Sequence, residues 1–169
     1  MTDATADAAA GVVAEAGRLG RTVATAESLT AGLVASTLAG VPGASTVLQG
    51  GIVAYQLSAK QHLLGVDAEL LARAGAVDPR VAAAMADGAR TALDADLGVA
   101  TTGVAGPSAH GGKPVGTVFT AISTATSTTT FEHHFSGDRA AIRQAACDAA
   151  LTELFDKLSR GTNGESGQL

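Results

Sequence analysis

Apolar residues recur at helical spacing over 6–19, where Val12, Val13, Ala16 and Leu19 fall on one side and Gly20 ends the run. A short strand is predicted over 21–25, followed by a helix over 30–39 that stops at Gly40. The stretch 46–55 reads as a strand whose Gly50-Gly51 pair marks a bulge or a close backbone approach. A short helix over 58–64 ends at Gly65, and Asp78-Pro79 opens the next, with an acidic cap and proline at the first helical position. That helix is expected to run to about residue 93. A strand over 97–101 leads into a glycine-rich loop over 102–114. Two β-rich runs, 115–123 and 128–135, then suggest an antiparallel hairpin in which Phe131, His133 and Phe135 share a face. The last helix begins at Gly137-Asp138-Arg139 and ends near Ser159, leaving 160–169 as a flexible tail. Strands separated by helices, plus one hairpin, predict a single α/β domain over 1–159 with three α/β/α layers and a mixed parallel and antiparallel sheet.

Composition narrows what such a domain does. The chain has 169 residues, enough for one well-buried core, with 46% apolar, 16% charged and only 3% aromatic residues. Abundant Ala and Gly suit close packing of helices on a sheet. A net charge of -5 argues against nonspecific nucleic-acid binding, which needs clustered Lys and Arg, so any phosphate recognition is expected to be local. A single cysteine, Cys147, excludes an intramolecular disulfide and a cysteine-rich zinc site, and its place inside the last helix predicts a buried, inert thiol. The N-terminal residues lack a basic start and a long apolar stretch, and no apolar run approaches membrane-spanning length. A cytoplasmic protein without a membrane partner is the expectation.

The most informative segment is Thr25-Ala26-Glu27-Ser28-Leu29-Thr30-Ala31-Gly32, read as strand, tight turn and helix start. A serine in such a turn is either a helix cap or a nucleophile set beside outward-pointing amides. A nucleophile needs a base. No histidine is obviously placed for it: His62 lies in the short helix, and His133-His134 sit on opposite faces of a strand, which disfavours a shared metal. His110, in the glycine-rich loop, is positioned to reach a ligand. Lys60, one of only three lysines, begins the short helix after the Gly-Gly strand. At an unperturbed pKa near ~10.4 under about 1% of a lysine is neutral at pH 7, so a base role requires burial or a neighbouring cation. The loop from Thr102 to Pro114 departs from a phosphate-binding NTPase loop in its spacing, in having Pro114 in place of the magnesium-binding hydroxyl, and in leading to a strand.

Four blocks, in order, resemble the CinA C-terminal domain family: Ala26-Glu27-Ser28-Leu29-Thr30-Ala31-Gly32; Gly50-Gly51-Ile52-Val53-Ala54-Tyr55 running on to Lys60 and Leu64-Gly65-Val66; Thr102-Gly103-Val104-Ala105-Gly106-Pro107 with Lys113-Pro114-Val115-Gly116-Thr117-Val118; and Phe135-Ser136-Gly137-Asp138-Arg139. The resemblance implies hydrolysis of the carboxamide of nicotinamide mononucleotide to nicotinic acid mononucleotide and ammonia, without metal or cofactor. It places the nucleophile on Ser28 and the assisting tyrosine and lysine on Tyr55 and Lys60. Amides at the helix start after Ser28 are expected to stabilise the oxyanion. Thr30, Ala31, Gly32, Gly50, Gly51, Thr102, Gly103, Ala105, Gly106 and His110 are the expected substrate-binding positions, and a homodimer is the expected assembly. The chain departs from the family at Leu29 and Ala31, usually cysteine and glycine, at Leu57, usually asparagine, and in a slightly shorter loop after Pro107. A nucleotide-binding module without catalysis, or an amidase for another small carboxamide, are the alternative readings.

Overall fold

The computed structural model describes residues 3–161. Its elements run α1 (Asp3–Leu19), β1 (Val23–Glu27), α2 (Leu33–Ala39), a 3-10 turn (Ala44–Thr46), β2 (Leu48–Val53), α3 (Leu57–Leu64), α4 (Ala68–Ala74), α5 (Pro79–Ala92), β3 (Leu97–Gly103), β4 (Thr117–Ser123), β5 (Thr128–His134) and α6 (Arg139–Gly161). The strands lie in the order β2-β1-β3-β4-β5. β1 is parallel to both β2 and β3, and β4 runs antiparallel to β3 and β5, so the sheet is mixed as the alternation of elements predicts.

Alternate residues of the central strands feed two cores. Val23, Leu97, Val99 and Ile122 meet α1, α2 and α6 on one face. Ala24, Ala26, Ala100, Phe119 and Ala121 meet α3, α4 and α5 on the other. The second face is built largely of small residues, which lets α5 lie close to the sheet. At Gly98 a Cβ would collide with the carbonyl of Ala86 in α5, so glycine is required there by proximity. This packing explains how so few aromatic residues suffice for a closed core. Cys147 is fully buried in the first core, and burial pushes its thiol up to about 12, in keeping with an inert side chain.

Several boundaries differ from expectation. β1 runs two residues past Thr25, through Glu27, because that glutamate points into the protein. α2 starts only at Leu33, because Ala31 and Gly32 adopt φ of 50° and 95°, which no right-handed helix can include. α4 was not foreseen, although Asp67 caps it through the Glu69 amide and Gly75 ends it. α6 includes Arg160 and Gly161, so the expected tail does not begin at residue 160; residues 162–169 lie outside the described part. The Gly50-Gly51 pair meets both readings. The β1–β2 register slips between Val23 and Ala24, and a Cβ on Gly51 would press on Thr25 Oγ1 and on Ala35 of α2. No helix among the described residues is long and apolar enough to cross a membrane.

Candidate active site

Ser28 follows β1 directly. Its N–H donates to Thr101 O at 3.0 Å, extending the β1–β3 ladder by one residue. From β1 the chain leads to β2 on one side, whereas β3 lies on the other. The carboxyl ends of β1 and β3 therefore flank the point where strand order reverses, the usual ligand crevice of an open α/β sheet. A cavity of about 360 Å³ opens there, lined by Ser28 and Leu29 after β1, by Tyr55 before α3, by residues from Thr102 to His110 after β3, and by Arg139 at the start of α6. That volume suits a small ligand.

The β1–β2 register also delivers Lys60. The Ala54 amide donates to the Glu27 carbonyl at 2.9 Å, so the residues just past each strand lie side by side. The chain then turns into α3, and the side chain of Lys60 folds back under that turn, fully buried. Its Nζ donates to Ser28 Oγ at 2.9 Å, to Ala54 O at 2.7 Å and to Tyr55 O at 3.2 Å. Burial lowers its pKa from 10.5 to about 8, so the neutral amine is accessible near physiological pH. A neutral amine carries two N–H groups and one lone pair. With the two carbonyls accepting those N–H groups, the lone pair is left for the hydroxyl proton of Ser28.

Ser28 is not a helix cap. Gly32 occupies the N-cap position of α2 without any side-chain cap, and the exposed amides of that helix start are already taken. The Glu27 carboxylate accepts from Gly32 N at 2.9 Å, Val34 N at 3.1 Å and Ala35 N at 2.8 Å, and also from Thr25 Oγ1 at 3.2 Å. These amides cannot stabilise an oxyanion as expected, because a resident anion already occupies them.

Among the other expected positions, Tyr55, Thr102, Gly103, Ala105, Gly106 and His110 line the cavity with Ser28, and Thr30, Ala31, Gly32, Gly50 and Gly51 do not. Thr30 is fully buried, its hydroxyl 2.7 Å from that of Thr101. Gly50 and Gly51 lie within the edge strand β2, where they serve packing against Leu93, Thr25 and Ala35. Tyr55 contributes its carbonyl to Lys60, whereas its phenol, half exposed, accepts from Arg139 Nη2 at 2.7 Å. No hydrogen bond among the described residues joins the phenol to Ser28 or Lys60, and the direct contact of Lys60 with Ser28 needs no intermediary.

Sequence reasoning gave Glu27 and Arg139 no role. Arg139 stood in a block shared with the family, and Glu27 directly precedes Ser28, but neither spacing reveals what these side chains hold. Arg139 spans the cavity mouth, donating through Nη1 to Gly106 O at 2.7 Å as well as to Tyr55. Among the described residues no carboxylate lines the cavity and Arg139 does, so its electrostatics favour an anionic ligand. The two adjacent histidines serve structure: His133 Nε2 lies 2.9 Å from Glu153 and stacks on Phe135, and His134 pairs with Glu132. No group of three or more metal-ligating side chains occurs among the described residues.

Ala31 holds φ 50° where the family usually has glycine. A left-handed alanine costs about 1–2 kcal/mol, partly offset by the larger unfolded-state entropy of glycine. Ala31→Gly is therefore expected to raise unfolding free energy by roughly 0.5–1 kcal/mol in urea denaturation; a loss of stability would contradict the strain.

The profile of the CinA C-terminal domain matches residues 5–158. The chain is 50% identical over 146 residues to a CinA-like protein of Anaeromyxobacter dehalogenans, covering 85% of this chain and 35% of that one. It is 50% identical over 144 residues to a CinA-like protein of Frankia casuarinae, covering 85% and 33%. The chain thus spans about a third of the length of the curated relatives it matches. Among solved structures, the competence/damage inducible protein CihA of Agrobacterium tumefaciens is 35% identical with a TM-score of 0.89, covering 94% of this chain and 98% of that one. A CinA-superfamily protein of Escherichia coli is 34% identical with a TM-score of 0.85, covering 93% of each.

Proposed function

This chain belongs to the CinA C-terminal domain family, and we propose that it is a serine amidohydrolase that converts nicotinamide mononucleotide to nicotinic acid mononucleotide and ammonia. The observation that carries this reading is the 2.9 Å contact between Ser28 Oγ and the buried amine of Lys60, beside a cavity that Ser28 and Arg139 line and that no carboxylate among the described residues enters.

Neutral Lys60 takes the proton of Ser28 Oγ as that oxygen attacks the carboxamide carbon. The tetrahedral oxyanion collapses as the lysine ammonium returns the proton to the amide nitrogen, which leaves as ammonia. A water molecule then attacks the nicotinoyl ester and gives one proton to Lys60, which passes it to Ser28 Oγ as the acyl–oxygen bond breaks; the acid product releases its remaining proton to solvent and departs as the carboxylate. Arg139, His110 and the amides of Ala105 and Gly106, which have no acceptor among the described residues, provide the ring of donors for the nucleotide phosphate. Neither metal nor cofactor enters these steps.

The direct test is an ammonia-release assay with nicotinamide mononucleotide and, beside it, nicotinamide riboside and free nicotinamide. Turnover of the mononucleotide in preference to both, unchanged by EDTA, is expected. Binding of the mononucleotide in calorimetry with no ammonia released would favour a non-catalytic binding module instead.

The lysine also sets a pH profile. Because the neutral amine is the active form, kcat/KM is expected to rise through about pH 8 and level off above it. A profile flat between about pH 6.5 and 9.5 would refute Lys60 as the base. The same shift has a stability counterpart. Below about pH 8 the lysine is charged in both folded and unfolded chains and its burial penalty is present in full. Between about 8 and 10.5 the unfolded chain holds a proton that the folded one has released, so this group's contribution to stability rises with pH across that window.

A further inference from the structure

The backbone groups of the turn after Ser28 are divided in an ordered way. The amides of Ala31, Gly32 and Leu33 are occupied by Ser28 O, the Glu27 carboxylate and Thr30 O respectively. The amides of Leu29 and Thr30 have no acceptor among the described residues. The carbonyls of the same two residues are both held by one side chain from α6: Arg143 donates through Nε to Leu29 O at 2.8 Å and through Nη2 to Thr30 O at 2.9 Å. A guanidinium fork fixes two acceptors at once in a way a lysine cannot.

By gripping Leu29 O and Thr30 O together, Arg143 fixes the conformation of the turn that carries the Leu29 amide. The Leu29 amide immediately follows the proposed nucleophile, the position from which oxyanion donors commonly come, and Leu29 lines the cavity. Glu27 closes off the alternative by occupying the α2 amides. We propose that Arg143 is a positioning residue that holds the Leu29 and Thr30 carbonyls so that the Leu29 amide serves as the oxyanion donor beside Ser28 Oγ. This assignment rests on Ser28 being the nucleophile.

The experiment compares wild type, Arg143→Met and Arg143→Lys in two assays: ammonia release from nicotinamide mononucleotide, and the second-order rate of labelling of Ser28 by a fluorophosphonate, whose P=O oxygen gains charge on attack. In Arg143→Met, folded by circular dichroism, kcat is expected to fall about 100-fold or more, with KM within about 3-fold of wild type and labelling slowed in proportion. Arg143→Lys, which keeps the charge and one donor, is expected to fall between the two. Should the methionine variant fail to fold, the lysine variant carries the test. Equal kcat and equal labelling in a folded variant overturn the assignment, since a residue that only stabilises the fold lowers the melting temperature without slowing the folded enzyme. A raised KM with unchanged kcat overturns it as well, making Arg143 a binding residue. If the wild type is labelled but releases no ammonia, the substrate reading fails, and the ratio of labelling rates still decides this proposal. A wild type that takes no label overturns the nucleophile and the oxyanion site together.

Discussion

Ser28→Ala is expected to reduce ammonia release from nicotinamide mononucleotide by about 10⁴-fold or more while leaving the melting temperature close to wild type. The hydroxyl donates no hydrogen bond that the fold depends on; its recorded contact is with Lys60. In the proposed mechanism its removal eliminates the acyl-enzyme route and leaves only binding and oxyanion stabilisation to act on a water attack. Lys60→Met should fall by about 10³-fold or more and lose the rise through pH 8, because the long apolar chain fills the same space but accepts no proton. The double variant should be little worse than Ser28→Ala, since the pair acts as one unit. More than a tenth of wild-type turnover in purified Ser28→Ala would remove the serine from the mechanism.

Glu27→Ala is expected to destabilise the fold by about 3–5 kcal/mol, the largest single-residue effect on stability anticipated for this chain. The carboxylate is 1% exposed and accepts from three backbone amides and one hydroxyl. Truncation leaves buried donors without acceptors, each worth about 1–3 kcal/mol, and opens a void between α2 and the sheet. Glu27→Gln keeps the volume but replaces one acceptor oxygen by a donor that faces N–H groups, so its loss should be intermediate, roughly 2–3 kcal/mol. Urea titration of both variants measures the difference. Stabilities within about 0.5 kcal/mol of wild type would show that the helix amides find other acceptors.

Those two residues mark what was legible in the sequence. The layers, the mixed sheet and the hairpin follow from the alternation of helical and strand-like runs. The proline-led start of α5 and the glycine-ended stop of α3 follow from cap chemistry at Asp78 and Gly65. Ser28 and Lys60 were singled out by type and by resemblance, but their meeting depends on the parallel register that sets Ala54 beside Glu27, and no local pattern encodes register between strands so far apart in the chain. Glu27 carries no role in the sequence pattern, because a charged side chain rarely has no exposure and its burial becomes sensible only once the α2 amides that it satisfies are placed next to it. The same ignorance of partners misassigned Thr30, whose hydroxyl faces Thr101 rather than a ligand. Arg139 and Arg143, on one turn of α6, owe their candidacy to the path of that helix past both the cavity mouth and the serine turn, which no spacing in the sequence reveals.

The crevice at the strand-order reversal has two walls of different ancestry in the chain. One comprises β1, the serine turn and the lysine beneath α3, tied to the buried sheet. The other is the excursion between β3 and β4, exposed from Pro107 to Gly112 and tipped by the Gly111-Gly112 turn between His110 and Lys113. Insertions, deletions or grafts in the excursion can reshape the cavity while the buried contact between Ser28 and Lys60 stays untouched, so on this scaffold the outer wall is free to change faster than the inner one.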